Sequence, residues 1–127
     1  MGVDADYDFL SLFSGDEETV SLAAGSHLFA KGDAAHTMYV VKSGAIEVHD
    51  RSTVFETIEP GGLLGEMAIV DGAPRSAGAR AKVTSEVIVV DKRRFLGMVE
   101  RTPFFAIRIM QVMTRRLRHT NALVAGR

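Results

Sequence analysis

The chain contains no cysteine. That excludes disulfide staples, thiolate-held iron–sulfur clusters and a thiol nucleophile, so 127 residues must be held together by a packed core. Long apolar runs are missing too. Nothing approaches the ~20 residues that would carry a helix across a bilayer. The opening segment, with Asp4, Asp6 and Asp8, is acidic where a signal peptide would be basic. A cytoplasmic protein without membrane contact is the expectation. His27, His36, His49 and His119 show neither His-x-His nor His-x-x-x-His spacing, so no metal site and no metal-dependent barrel enzyme is expected. No catalytic constellation is visible either: Ser76 has no base near it in sequence, and the reading is of a binding domain, not an enzyme.

What is present is one domain's worth of chain with an ordinary globular balance, 46% hydrophobic and 24% charged. The net charge of −1 hides an asymmetry: 15 of the 16 acidic residues fall at or before Asp91, and 9 of the 15 basic ones follow it. No aromatic interleaving or helix-turn-helix pattern accompanies that basic stretch. It reads as a solvated helix face whose arginines lie along apolar surface, and no direct nucleic-acid partner is expected.

The hydrophobic period changes twice. Ser14 or Asp16 can cap a short helix beginning near Glu17, predicted over about 16–24. From about 26 to 91 the pattern is that of strands: Met38–Lys42, Ile46–His49, Thr53–Ile58, Ala79–Val83 and Val87–Val90, separated by Gly or Asp turns. Ile46 and Val48 should face inward, Glu47 and His49 water. Many short, glycine-punctuated strands indicate a closed or nearly closed antiparallel barrel or sandwich. After Asp91 the period is helical, with one short helix from Lys92 to about Glu100. Thr102-Pro103 then restarts a second helix that runs to about Val124. Its two adjoining apolar stripes, one through Met110, Met113, Leu117 and Val124 and one through Phe105, Ile109 and Val112, suit a helix that packs on its own barrel and also meets something else.

The stretch from Pro60 to Ala77 carries the chemistry. Gly61, Gly62 and Gly65 allow a sharp turn and close backbone approach to a ligand. Glu66–Val70 can form one helical turn whose free N–H groups favour an anion. A second turn at Gly72-Ala73-Pro74 delivers Arg75, a permanent planar cation able to grip phosphate oxygens bidentately. Ser76 adds a hydroxyl, and Ala77 keeps bulk away. Glu66 makes sense beside an anion only if it accepts hydrogen bonds from neighbouring hydroxyls, such as a ribose 2′-OH. Alternatively Glu66 and Arg75 pair with one another and the turn serves only for shape.

Gly65-Glu66-Met67-Ala68 followed by Pro74-Arg75-Ser76-Ala77 resembles the phosphate-binding cassette of the cyclic nucleotide-binding domain family. Its nine-residue step from Glu66 to Arg75 is similar to that of the protein kinase A regulatory subunits. Phe29 to Asp33, Met38 to Val41 and Gly44 resemble the family's early strands and turns. Phe95 to Pro103 resembles its hinge helix, and the final helix its lid helix. The resemblance implies a mainly β fold: an antiparallel β-roll (jelly-roll-like, a double-stranded β-helix) with an N-terminal helix, a short cassette helix, and C-terminal hinge and lid helices over about 92–125, forming one domain over 1–127. It implies that Glu66 holds the ribose 2′-OH and Arg75 the exocyclic phosphate oxygens. The Ala68 and Ser76 amides would donate to the same phosphate, while Gly65 admits the ribose; Met67 and Ala77 complete the ligand-binding set. Met113 to Asn121 is similar to the lid helix of the family's catabolite activators, which implies that Thr120 and Asn121 reach the base, Asn121 from a second subunit.

Leu64 stands where the family often has an aromatic. Ser76 stands where cyclic-AMP kinase sites have Ala and many cyclic-GMP sites have Thr. The ligand implied is cyclic AMP, with cyclic GMP as the alternative, and no further cofactor. Binding would be relayed as a conformational change to a separate effector protein, with a homodimer through the C-terminal helix as a possible partner contact. A non-binding interaction or dimerisation module on the same fold is the second reading. The third is the sensor fragment of a transcription regulator.

Overall fold

The computed structural model describes residues 8–125, with side chains to His119. The chain divides into a strand-rich unit, Asp8–Lys92, and a helical unit that takes in the chain from Arg93. The first begins with a 3-10 helix, Phe9–Leu12, then β1 Thr19–Leu22, β2 His27–Phe29, β3 Thr37–Ser43, β4 Ile46–Asp50, β5 Thr53–Ile58, β6 Leu63–Leu64, α1 Glu66–Asp71, β7 Gly78–Ala81 and β8 Ser85–Asp91. Two helices follow, α2 Lys92–Arg101 and α3 Pro103–Ala125.

The strands make two four-stranded antiparallel sheets, ordered β1-β8-β3-β6 and β2-β7-β4-β5. With the flanking helices this is the β-roll that the sequence implied. Val41, Leu64 and Val87 of one sheet meet Ile46, Ile58, Ala79 and Ala81 of the other in a single core cluster, against which Phe29, Tyr39 and Val48 are packed. Met38, Val40 and Val41 of β3 are all fully buried, Val41 within this cluster, and a register shift follows Val41 where Ser43 is exposed.

Two expectations need correction. The segment expected as a helix over 16–24 holds β1 instead. The Glu17 carboxylate folds back to accept from the backbone N–H groups of Ser14 and Gly15, both at 2.9 Å, which closes a turn where a cap was expected. Thr19 to Leu22 then pair with Ile88 to Ser85 of β8, burying Leu22. His49, expected to face water, is buried. The pairing of β4 with β5 shifts between Val48 and His49. The imidazole then lies over Gly78, where a Cβ would stand 3.0 Å from Nε2, with Nδ1 3.2 Å from the Arg51 carbonyl. Ile46 and Val48 do face the core, and Glu47 pairs with Arg80 at 3.1 Å on the other face.

In the helical unit, Thr102 closes α2 by donating to the Met98 carbonyl and opens α3 by accepting from the Phe105 amide, both at 2.8 Å. The Phe95 and Phe105 rings meet edge to face with centroids 5.5 Å apart. Of the two α3 stripes, Phe105, Ile109 and Val112 are buried, whereas Met110 and Leu117 are exposed, as are Phe104 and Ile107. Among the described residues no helix is long and apolar enough to cross a membrane.

Candidate functional site

The cassette is anchored before it begins. Gly61 donates to the Val41 carbonyl and Val41 to the Gly62 carbonyl, each at 2.9 Å, so the glycine pair is stitched to the central strand. Leu63 and Leu64, both buried, continue that pairing opposite Val40 and Tyr39. Leu64 is part of the core cluster. Gly65 then adopts φ 81°, ψ 7°, a left-handed conformation that turns the chain out of β6 and into α1. α1 is one and a half turns long and ends when Gly72, also left-handed, donates to the Ala68 carbonyl at 2.8 Å. Asp71 accepts from the Ala73 amide at 2.9 Å, shaping the second turn toward Pro74 and Arg75.

Arg75 is fixed in both main chain and side chain. Its amide donates to the Asp33 carbonyl and its carbonyl accepts from the Gly32 amide, each at 2.8 Å, so the turn after β2 holds it by a reciprocal pair. The side chain is only 6% exposed. Nη2 donates to the Thr37 carbonyl at 2.7 Å and reaches its hydroxyl at 3.4 Å, while Nη1 donates to the Gly65 carbonyl at 3.3 Å. Nε is buried with no partner. A Cβ on residue 65 would stand 2.6 Å from Nη1. Gly65 is thus required for the seat of the guanidinium itself, whereas the sequence suggested it for approach of a sugar.

Glu66, at the start of α1, is 1% exposed. Burial pushes the Arg75 guanidinium below its ordinary range, and interactions with Tyr39, Asp33 and Glu66 oppose that shift. A buried cation whose hydrogen-bond acceptors are two carbonyls and a hydroxyl, with Nε left without an acceptor, can take an anionic oxygen.

The structure therefore brings Gly65, Glu66 and Arg75 together. Ala68 is buried on α1. Ser76 is exposed and Ala77 half-buried as the chain enters β7, and the Met67 side chain is exposed. Thr120 and Asn121 belong to α3, but their side chains lie outside the described residues. Sequence reasoning missed Phe29, Thr37 and Tyr39 as the surroundings of the guanidinium. The available signal was that a buried arginine needs carbonyls or aromatic faces, and that Phe29 and Tyr39 sit in strand segments on either side of the Gly32 turn. Among the described residues no group of three His, Asp or Glu side chains could hold a metal ion.

This glycine turn and short helix, set in two antiparallel four-stranded sheets, place a buried arginine and a buried carboxylate on a β-roll. The family model of the cyclic nucleotide-binding domain matches residues 19–102. The chain belongs to the cyclic nucleotide-binding domain family.

Among relatives, it is 28% identical over 102 residues to the cyclic AMP receptor protein of Thermus thermophilus, covering 76% of this chain and 47% of that protein. It is 30% identical over 125 residues to an NTE family protein of Mycobacterium tuberculosis, covering 98% of this chain and 21% of that protein. The chain thus spans about half of the first relative and about a fifth of the second. Among solved structures, the Thermus thermophilus catabolite activator protein superposes with a TM-score of 0.77 at 25% identity, over 86% of this chain and 54% of that one. A structure associated with a cyclic-GMP-dependent signalling pathway in bacterial phytopathogenesis superposes with a TM-score of 0.74 at 25% identity, over 93% and 95%.

Proposed function

We propose that the protein is a receiver for a cyclic nucleotide monophosphate, cyclic AMP in preference to cyclic GMP, and that it relays occupancy to a partner protein. The observation that carries this reading is Arg75: a nearly buried guanidinium, bonded only to neutral oxygens, with Nε left without an acceptor beside Gly65 and Glu66. Such an arrangement is costly for a domain that binds nothing, because a buried charge hydrogen-bonded to no counter-ion costs several kcal/mol, which the nearby Asp33 and Glu66 offset only in part. A cyclic phosphate supplies that charge as a single anion. Glu66 then serves the ribose 2′-OH as an acceptor. Ser76 and Ala68 serve the phosphate through their amides, with Met67 and Ala77 flanking them. Thr120 and Asn121 are proposed as base contacts. The names of the Thermus relative and of the phytopathogenesis structure support a cyclic nucleotide of one base or the other; the relative at 28% identity favours adenine.

In this reading ligand binding stabilises one conformation of the cassette, and the relay can be no stronger than the ligand's differential affinity for it. The exposed Phe104, Met110 and Leu117 on α3 favour a protein partner, a second copy of the chain or a separate effector, as the recipient. Binding without chemistry and a cytoplasmic location belong to the same proposal. Calorimetric titration of the parent and of Arg75→Ala with cyclic AMP and cyclic GMP tests it. Loss of the cation should weaken binding by about 3 kcal/mol, roughly a hundredfold. A parent that gives no heat with either nucleotide, or an Arg75→Ala protein that binds as tightly as the parent, refutes the proposal.

A further inference from the structure

The surroundings of Arg75 have a feature that the proposed phosphate role does not itself require. The guanidinium lies on an aromatic face. Its Cζ is 4.1 Å from the centroid of the Phe29 ring and 5.6 Å from that of Tyr39. The two rings stack on one another, 6.1 Å apart with 26° between their planes. They come from different sheets, Phe29 from β2 and Tyr39 from β3, so the fold brings this shelf together. Phe29 is also the last residue before the turn whose Gly32 and Asp33 clamp the Arg75 main chain.

A buried arginine is commonly fixed by a carboxylate, and that neutralises it. Here the side chain is fixed by a π face and by the oxygens of Thr37 and Gly65, none of which carries a full negative charge. A ring quadrupole attracts the cation and orients its plane while leaving its charge in place. An arriving anion then meets a guanidinium already held in one orientation, with less side-chain entropy to lose.

We infer that Phe29 is a positioning residue for anion binding: its ring face sets the plane of the Arg75 guanidinium without neutralising it, so that Phe29 governs cyclic nucleotide affinity through Arg75. This rests on the cyclic nucleotide reading of the site.

The test compares the parent with Phe29→Leu, which keeps apolar bulk but has no π face, and Phe29→Tyr, which keeps the face. In nucleotide-free protein, NMR should show the Arg75 side-chain protons shifted upfield by the ring beneath them. That shift should vanish in Phe29→Leu and persist in Phe29→Tyr. Titrated with cyclic AMP, Phe29→Leu should lose about three- to tenfold in affinity and Phe29→Tyr little. Introduced into Arg75→Ala, Phe29→Leu should cost nothing further, which a purely structural role for the ring would not produce. A parent that binds cyclic AMP while Phe29→Leu binds it equally well overturns the inference and leaves the nucleotide reading standing. Unshifted Arg75 protons in the parent overturn it as well, whatever the affinities. A parent that shows the ring shift but binds neither cyclic AMP nor cyclic GMP sinks the nucleotide reading, and the proposed control of affinity falls with it.

Discussion

Two glycine turns in the strand-rich unit look alike from the backbone and differ in what they leave unsatisfied. Gly44, between β3 and β4, has φ 86°, and Gly65, between β6 and α1, has φ 81°. Each has a polar side chain filling the space where a Cβ would be: Ser85 at Gly44, Arg75 at Gly65. At the first turn the polar side chain is satisfied. The buried Ser85 hydroxyl accepts from the Ala45 amide at 3.0 Å and lies 2.7 Å from the Val83 carbonyl and 3.2 Å from that of Ala45. At the second turn a full charge is buried and one donor is left over. A closed hydrogen-bond account marks architecture. An open one carrying a charge is where the nucleotide is proposed to bind.

The contrast predicts opposite consequences for the same substitution. Gly44→Ala would drive a methyl onto the Ser85 hydroxyl, to 2.5 Å from the Thr84 carbonyl oxygen and 2.7 Å from the Ser85 Cα. Backbone atoms cannot step aside cheaply, and left-handed strain adds to the clash. The expected loss is about 3 kcal/mol of stability or more, read by urea unfolding, with unchanged nucleotide affinity in the fraction that folds. Gly65→Ala should reverse the pattern. Its methyl meets mainly the far end of a flexible side chain, 2.6 Å from Nη1, so the fold gives up only about 1 kcal/mol to backbone strain. The guanidinium, however, is pushed off its seat, and affinity for cyclic AMP should drop by about tenfold or more. Equal effects of the two substitutions on stability, or an unaltered affinity in Gly65→Ala, would erase the distinction between the turns.

Much of this arrangement is legible in the sequence. β4 was visible because its apolar residues alternate, and β3, β5, β7 and β8 because short β-rich runs are bracketed by glycine or aspartate turns. α2 and α3 were visible because Thr102-Pro103 separates two helical periods. Gly65, Glu66 and Arg75 stood out because a cation and a carboxylate beside a glycine turn are hard to explain as core. What stayed hidden was short, bulged or distant in sequence. β2 and β6 are three and two residues long, too short to show a period. His49 broke the alternation because the register shifts beside it. The guanidinium seat could not be read at all, since Thr37 and Arg75 are 38 positions apart and only the pairing of strands brings them together. The N-terminal error was of another kind. Ser14, Asp16 and Glu17 compose a convincing helix start by local rules, and the pairing of Thr19–Leu22 with β8 overrode it.

That N-terminal turn extends the comparison to a charge of the opposite sign that is satisfied locally and left near the surface. Desolvation alone would raise the Glu17 carboxyl, but hydrogen bonds from the Ser14 and Gly15 amides and the Ser14 hydroxyl outweigh it and hold the group at about 2, below its ordinary 4.5. A depressed folded-state pKa means that the unfolded chain takes up the proton first as pH falls. The turn's contribution to stability is therefore complete above about pH 4.5 and is lost progressively as pH falls toward 2. Because the carboxylate is solvent-screened the effect should be small, a change of a few degrees or less in melting temperature. Glu17→Gln should melt below the parent at pH 7, and the two should converge as pH approaches 2. A difference as large at pH 2 as at pH 7 would mean that the side chain's packing, and not its charge, shapes the entry into β1. Cyclic nucleotide affinity at pH 7 should be the same in both proteins, because the Glu17 charge is met within four residues by Ser14 and Gly15 and none of these belongs to the proposed nucleotide site.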